Sequence, residues 1–239
     1  MKKIKDLWHY FTKAERVLWS GSVVLILCAF FLFDRSDALT LTASLIGVTS
    51  LILNAKGHFA GQILMIIFSV LYGIISFACA YYGEMITYLG MTGPMALVAL
   101  ISWLRHPFGG RRAEVTVNRL DLREWVLMGV LTAAVTVIFY FILDAFDTAR
   151  LPLSTLSVAT SFAAVYLTAR RSPFFAVAYA ANDLVLMALW LLASLENIQY
   201  LSVVICFTAF LANDLYGFFS WRRMEKRQQT ALGNRSCEE

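Results

Sequence analysis

Two Asn-Asp pairs lie inside apolar stretches of the chain, in YAANDLVLMALW at 179–190 and in FLANDLYGFFSW at 210–221. Asn side chains donate and accept hydrogen bonds and Asp side chains accept them, so both can bind hydroxyl groups or an amide. The Tyr and Trp rings beside them can stack on a heteroaromatic ring and attract a cationic one. These residue types together suit a nucleoside-like ligand. The alternative is that the Asn and Asp side chains only cross-link helices through hydrogen bonds.

The spacing of these residues predicts two helical stripes. The first stripe consists of Tyr179, Asn182, Asp183, Leu186 and Trp190. The second consists of Asn213, Tyr216, Gly217 and Ser220. An Asp at the centre of a membrane-spanning helix costs roughly 2.5 to 3.5 kcal/mol, so it normally faces the protein interior or a wet cavity. We therefore expect the two stripes to meet across one cavity.

Ten residues are predicted to bind the ligand: Gln62, Tyr72, Tyr88, Tyr179, Asn182, Asp183, Trp190, Asn213, Asp214 and Tyr216. The sequence has no phosphate-cradling glycine loop with Lys-Ser/Thr, no H-E-x-x-H and no G-x-S-x-G motif. It therefore predicts no catalytic residue, no metal site and no cofactor. We expect the chain to be something other than an enzyme.

The composition indicates a membrane protein that must hold these residues on spanning helices. Hydrophobic residues make up 59% of the 239 residues and charged residues only 15%, and the mean hydropathy is +0.68. A spanning helix needs roughly 17 to 25 apolar residues. Eight stretches meet this length, at 17–33, 39–55, 59–82, 85–104, 125–143, 151–169, 173–195 and 197–221. The fold class is therefore predicted as all-α and polytopic.

The positions of the basic residues predict the orientation of the helices. If the N-terminus is inside, 18 of the 20 Lys and Arg residues fall in cytoplasmic segments, and only Arg35 and Arg150 lie outside. Basic residues near span ends are retained on the cytoplasmic side. We expect both termini in the cytoplasm, and we interpret the net charge of +4 as topology, not as nucleic-acid binding. Before the first span, Ile4, Leu7, Trp8 and Phe11 predict a short helix along the membrane interface.

An internal repeat organises the chain. GEMITYLG at 83–90 matches LENIQYLS at 195–202, including Glu84 with Glu196 and Tyr88 with Tyr200. SWLR at 102–105 likewise matches SWRR at 220–223, and we interpret Trp103 and Trp221 there as interfacial anchors. The predicted units are an interfacial segment and extra helix (1–38), a first three-helix repeat (39–104), a loop and linker helix (105–150), a second repeat (151–221) and a basic tail (222–239).

The linker helix adds one membrane crossing between the two three-helix repeats. The repeats are therefore predicted to be parallel and related by an axis along the membrane normal. A central pathway between two such repeats suits a carrier. In the fourth span, Thr92-Gly93-Pro94 interrupts the helix and predicts either a packing kink or a gating bend.

Four stretches resemble the PnuC nicotinamide riboside transporter family: GQILMIIFSVLYG, YYGEMITYLGMTGPM, RRSPFFAVAYAANDLVLMALW and FLANDLYGFFSWRRMEKRQ. The resemblance implies a three-one-three helix core related to SWEET sugar facilitators. It also implies facilitated uptake of nicotinamide riboside, a vitamin B3 precursor of NAD, with trapping by a cytoplasmic nicotinamide riboside kinase. A bacterial inner membrane and a homo-trimer are further implications.

Other functions stay open at this point. Relatives within the family are assigned thiamine, riboflavin or deoxynucleosides. A proton-coupled carrier that uses Asp183 or Asp214 is a second possibility, and a receptor or scaffold without transport is a third.

Overall fold

The computed structural model describes residues 10–33, 38–78, 81–148 and 150–235. Within them, eight helices are long and apolar enough to cross a membrane, as predicted. They are α1 (Lys13–Phe33), α2 (Ala38–Ala55), α3 (Ala60–Ala78), α4 (Tyr82–Arg105), α5 (Leu122–Ala145), α6 (Leu151–Ala169), α7 (Phe175–Ser194) and α8 (Leu201–Arg235). A short 3₁₀ turn, Ile198–Tyr200, precedes α8. Most of the predicted interfacial helix falls on residues 1–9, outside the described residues.

Six of the helices form a closed ring. Each packs against the next in the order α2, α3, α4, α6, α7, α8, and α8 returns to α2. The first repeat (α2–α4) therefore meets the second (α6–α8) at two seams. Outside the ring, α1 packs on α2 and α8, and α5 packs on α6. Burial agrees with this arrangement, since only 17% of the apolar window of α1 and 6% of that of α5 is buried, against 33 to 50% in the ring helices.

At one end of the ring lie the basic turn 56–59, the α4–α5 connection and the basic turn 170–174. We call this the basic end. Trp103 of α4 donates its indole N–H to the Thr168 carbonyl of α6 at 2.9 Å, and Trp221 of α8 donates to the Asn54 carbonyl of α2 at 2.7 Å. The same contact thus occurs once at each seam, as a two-fold relation between the repeats requires.

The interpretation of Trp103 and Trp221 as interfacial anchors is wrong. Their exposures are 2% and 0%, and their ring centroids lie 5.4 Å apart. Each indole N–H finds its acceptor in the last turn of the opposite repeat's first helix, so neither ring needs the lipid headgroups. The pair instead packs the interior of the basic end.

A strap, which we define as residues 106–121, crosses the basic end. It contains a two-stranded antiparallel hairpin, β1 (Pro107–Phe108) and β2 (Arg111–Val115). The turn uses Gly109 and Gly110 at φ of 56° and 75°, values that favour glycine because it has no Cβ. The strap ends at Asp121, whose carboxylate caps α5 in a capping box with Glu124.

The strap joins three parts of the basic end. The Val115 N–H donates to the Gly57 carbonyl at 3.1 Å and the Asn118 N–H donates to the Arg171 carbonyl at 3.0 Å. Gln228 of α8 accepts from the Val117 N–H and donates to the Val115 carbonyl, both at 2.9 Å. These bonds tie the α2–α3 turn, the α6–α7 turn and α8 together.

Helix α8 is longer than the last predicted span, which ended at residue 221. It has 35 residues and continues to Arg235. The extension packs against the strap, since Glu225 pairs with Arg119 at 2.5 Å and with Arg222 at 2.7 Å. Part of the predicted basic tail is therefore an ordered continuation of the last spanning helix.

Candidate functional site

A cavity lies inside the ring, and all six ring helices line it. Its polar lining residues are Tyr88, Thr92, Ser161, Tyr179, Asn182, Asp183 and Asp214. Its volume is about 30 Å³, which is room for one or two water molecules. A ligand of nucleoside size therefore requires the helices or side chains around the cavity to move apart.

Asn182 is held in place from the neighbouring helix. Its Oδ1 lies 2.9 Å from the hydroxyl groups of both Thr160 and Ser161 on α6. The side chain is 4% exposed and lines the cavity. Two fixed contacts pre-organise a carboxamide, because little side-chain freedom remains to be lost when a ligand binds.

Two carboxyl groups from different helices line the same cavity, Asp183 on α7 and Asp214 on α8. Both residues are 4% exposed. The Asp183 Oδ2 atom has no hydrogen-bond partner within the described residues. A buried carboxylate oxygen is stabilised by donors, so hydroxyl groups of a ligand such as a ribose would satisfy it.

Five aromatic rings form a second layer toward the end of the ring opposite the basic end. We call Tyr72, Tyr81, Tyr88, Trp190 and Tyr200 the aromatic cluster. The Tyr72 and Tyr88 ring centroids lie 4.4 Å apart, and Trp190 lies 4.9 Å from Tyr81 and 5.4 Å from Tyr200. Tyr88 also lines the cavity, so the cluster and the cavity are contiguous.

Helix α4 is irregular where it meets the cavity. It starts as an α-helix at Tyr82–Ile86, widens to a π-helical segment at Thr87–Thr92 and resumes α-helical geometry at Gly93. The predicted break at Thr92-Gly93-Pro94 thus takes the form of a π turn. Tyr88 and Thr92 both stand on this turn and both line the cavity, and π turns are frequent at functional sites.

Five of the ten predicted residues do not line the cavity, namely Gln62, Tyr72, Trp190, Asn213 and Tyr216. Gln62 donates to Asn54 Oδ1 at 2.9 Å. Asn213 donates to Ser22 Oγ on α1 at 2.9 Å, and the Tyr216 hydroxyl donates to Glu15 Oε1 at 3.2 Å.

The predicted stripe on α8 is therefore on the wrong face. The packing of α1 against α8 supplies partners for Asn213 and Tyr216, and the cavity is lined from α8 by Phe207, Phe210 and Asp214 at i, i+3 and i+7. The predicted stripe on α7 faces inward, since Tyr179, Asn182 and Asp183 line the cavity. Trp190 and Tyr72 belong to the aromatic cluster.

Tyr81 and Tyr200 were missed from the sequence. The repeat already aligned Tyr200 with Tyr88, which was a usable signal for Tyr200. Tyr81 has no such counterpart in the matched segments.

A larger, polar pocket of about 460 Å³ lies at the basic end between the start of α1, the strap and α8. Its acidic residues are already paired, Glu15 with Lys56 at 2.9 Å and Glu114 with Arg227 at 2.6 Å. Burial, together with Glu15 and Glu114, raises the pKa of Tyr10 there to about 12. Nearby, burial lowers the pKa of His58, whose Nδ1 accepts from the Ala60 N–H at 3.1 Å.

A ring of spanning helices in two parallel repeats around a cavity with polar lining residues is an arrangement typical of membrane transporters. Residues 37–223 match the family model described as "Nicotinamide mononucleotide transporter". This match covers most of the chain, and the chain belongs to that family. The family is one of transporters, so the expectation that the chain is not an enzyme is confirmed.

Two relatives carry the name "Nicotinamide riboside transporter PnuC". The one from Neisseria mucosa is 24% identical over 224 residues, covering 92% of this chain and 84% of the relative. The one from Haemophilus influenzae is 22% identical over 218 residues, covering 90% and 92%. The expected resemblance to the PnuC family is therefore confirmed.

A solved structure titled "Crystal structure of the Vitamin B3 transporter PnuC" matches with a TM-score of 0.80 and 23% identity. The match covers 91% of this chain and 94% of that one. The eight-helix fold is thus shared with this transporter, and the chain is a multi-pass membrane protein.

Proposed function

We propose that this protein carries nicotinamide riboside by facilitated diffusion. The observation that carries the proposal is the convergence of Asn182, Asp183 and Asp214 on one cavity inside the ring. Their amide and carboxylate groups suit ribose hydroxyls and a carboxamide, and the contiguous aromatic cluster suits a heteroaromatic ring. The names of the two relatives support the same substrate.

The cavity favours the riboside over the mononucleotide. Its lining includes Asp183 and Asp214, and none of the lining residues that the structure describes is Lys or Arg. A phosphate group carries a charge of about −1.5 to −2 near pH 7, and a buried lining that has acidic but no basic side chains offers it no countercharge. Nicotinamide riboside lacks the phosphate, so it avoids this cost.

The proposal includes a direction of uptake and the retention of the substrate in the cytoplasm by phosphorylation. We place the basic end in the cytoplasm of a bacterial inner membrane, because basic residues near span ends are retained there. The sequence contains no nucleotide-hydrolysing motif, so the protein alone equilibrates its ligand. A cytoplasmic nicotinamide riboside kinase would then retain the product, because the phosphorylated form suits the acidic cavity poorly.

A proton-coupled carrier is the second candidate, and a specific observation favours it. Asp183 and Asp214 line one cavity from two helices, and an acidic pair inside the membrane is a recurrent feature of proton relays. Under this alternative, a carboxyl group would bind a proton on one side of the membrane and release it on the other.

The experiment uses purified protein in liposomes with labelled nicotinamide riboside. Facilitated diffusion predicts filling to the external concentration and no further, followed by net accumulation when the kinase and ATP are enclosed. Accumulation without kinase under an imposed pH gradient would support the proton-coupled candidate. Absence of any flux, in protein that still binds the ligand, would contradict transport altogether.

The substrate is tested by competition. Nicotinamide riboside is expected to displace its own label at lower concentration than nicotinamide mononucleotide, thiamine, riboflavin or a deoxynucleoside. A stronger effect of any of these would reassign the substrate.

We also propose a homo-trimer, for which α5 has a largely exposed apolar surface. Native mass spectrometry in detergent would measure the number of copies.

A further inference from the structure

A buried carboxyl group that the proposed transport cycle does not yet use lies next to the aromatic cluster. Glu84 is 3% exposed, and its Oε2 atom has no hydrogen-bond partner within the described residues. It lies on α4 one turn before Tyr88. The Tyr88 ring in turn lies 4.4 Å from that of Tyr72, measured between centroids, so Glu84 lies next to the pair of tyrosine rings.

We propose that Glu84 is a specificity-determining residue that, together with Tyr72, Tyr88 and Trp190, selects ligands with a positively charged ring. This inference rests on the proposed function and names the charge class of its substrate. The nicotinamide ring of the riboside is a pyridinium with a permanent positive charge, whereas the bases of ordinary nucleosides are neutral.

The first physical reason is that the Glu84 Oε2 atom is buried without a hydrogen-bond partner within the described residues. A buried ionised carboxylate without a partner is unstable in an apolar surrounding, and an intramembrane acidic residue normally marks a functional site. A cationic ring that enters the cluster supplies the missing countercharge. A neutral ring of the same size does not.

The second reason is the arrangement of the aromatic rings next to that group. The faces of Tyr and Trp rings attract cations, and cages of such rings recognise organic cations. Tyr72 and Tyr88 lie 4.4 Å apart, and Trp190 lies 6.4 Å from Tyr72.

The repeat provides a contrast at the equivalent position. Glu196, which aligns with Glu84, has a side chain that is 79% exposed and lies 3.6 Å from Arg150 Nη2. Of these two equivalent positions, only the one in the first repeat buries its carboxyl group. Tyr88 belongs both to the cluster and to the cavity lining, and Glu84 lies one helical turn from it on α4.

The test compares two ligands of nearly the same shape, nicotinamide riboside and its reduced dihydro form, which is neutral. Equilibrium binding to purified full-length protein is measured for wild type, Glu84→Gln and Glu196→Gln. We expect Glu84→Gln to weaken binding of the cationic form at least about tenfold, the scale of a partly buried charge interaction. Binding of the neutral form should change less than about twofold, and Glu196→Gln should affect neither.

If Glu84→Gln weakens the binding of both ligands equally, the inference is overturned and the role of Glu84 is structural. A measurement on the wild type remains decisive if the variant does not fold: the wild type should prefer the cationic form, and equal affinities would also overturn the inference. Failure of the wild type to bind either ligand would instead contradict the proposed function. Thermal stability of each variant in detergent serves as the folding control.

Discussion

The two repeats of the ring share a backbone plan but contribute different chemistry. The second repeat supplies Asn182, Asp183 and Asp214 to the cavity. From the first repeat, the cavity receives mainly apolar and aromatic side chains such as Met65, Phe68 and Tyr88. At the basic end, by contrast, both repeats use the same contact, a Trp that donates to a carbonyl across the seam.

This difference separates the parts that hold the ring together from those that meet the ligand. A contact that closes a seam must be made at both seams, so the two-fold relation preserves it. A nucleoside has no two-fold symmetry, so identical side chains from both repeats would suit it poorly. The polar groups are therefore concentrated on one side of the cavity, and the rings of Phe68 and Tyr88 lie on the other.

The largest expected effect tests the acidic pair of the second repeat. Asp183→Asn and Asp214→Asn should each reduce nicotinamide riboside uptake into liposomes by about 10- to 100-fold, the range for a lost hydrogen bond to a charged group. Protein abundance should change much less, because Asn is less costly in the membrane than a charge. Asp144→Asn, on the exposed end of α5, is the matched control.

The next effect separates the faces of α7 and α8. Asn182→Ala and Trp190→Ala should each weaken ligand binding; for the stacking ring, the loss expected is about 1 to 3 kcal/mol. Asn213→Ala should leave the affinity near that of the wild type, because Asn213 bonds to Ser22 on α1. A calorimetric titration that shows the opposite order would support the ligand-binding face of α8 that the sequence predicted. It would contradict the assignment of ligand binding to the face that lines the cavity.

The seams give a smaller and symmetric effect. Trp103→Phe and Trp221→Phe each remove an indole N–H and leave a buried carbonyl without that donor, at a cost of about 1 to 3 kcal/mol. We expect the midpoint temperature of unfolding in detergent to fall by about 2 to 4 °C for each kcal/mol, by similar amounts in both variants. A large difference between them would show that the seams are not equivalent.

The smallest effect concerns the turn between α2 and α3. Burial lowers the pKa of His58, so the folded protein binds fewer protons there than the unfolded chain. The contribution of His58 to the free energy of unfolding is therefore present above the unfolded pKa of about 6.5 and is lost as the pH falls. His58→Asn keeps an acceptor for the Ala60 N–H and should reduce the pH dependence of the midpoint temperature, by about 2 °C at most between pH 7 and 5.

The number of helices, their order and the repeat could be predicted because hydropathy, basic residues and matched segments are local properties of the sequence. The inward face of α7 was also predictable, since Tyr179, Asn182 and Asp183 share one stripe. The face of α8 was not, because it depends on α1, which packs against Asn213 and Tyr216 from almost 200 residues away along the chain.

Other features depend on contacts that no spacing reveals. Trp103 and Trp221 end their predicted spans where interfacial anchors usually lie, and only the closure of the ring buries them against each other. The strap lies between two spans and looks like an ordinary polar loop. Its hairpin is fixed by bonds to distant partners, such as Gly57 and Gln228.

The most direct test of the central claim is a structure of the full-length protein with nicotinamide riboside bound. We expect the cavity to be enlarged, with the ribose beside Asn182, Asp183 and Asp214 and the cationic ring toward Tyr72, Tyr88 and Glu84. A ligand found in the pocket at the basic end, beside Glu15 and Arg223, with the cavity unchanged, would contradict the assignment of this cavity as the substrate site.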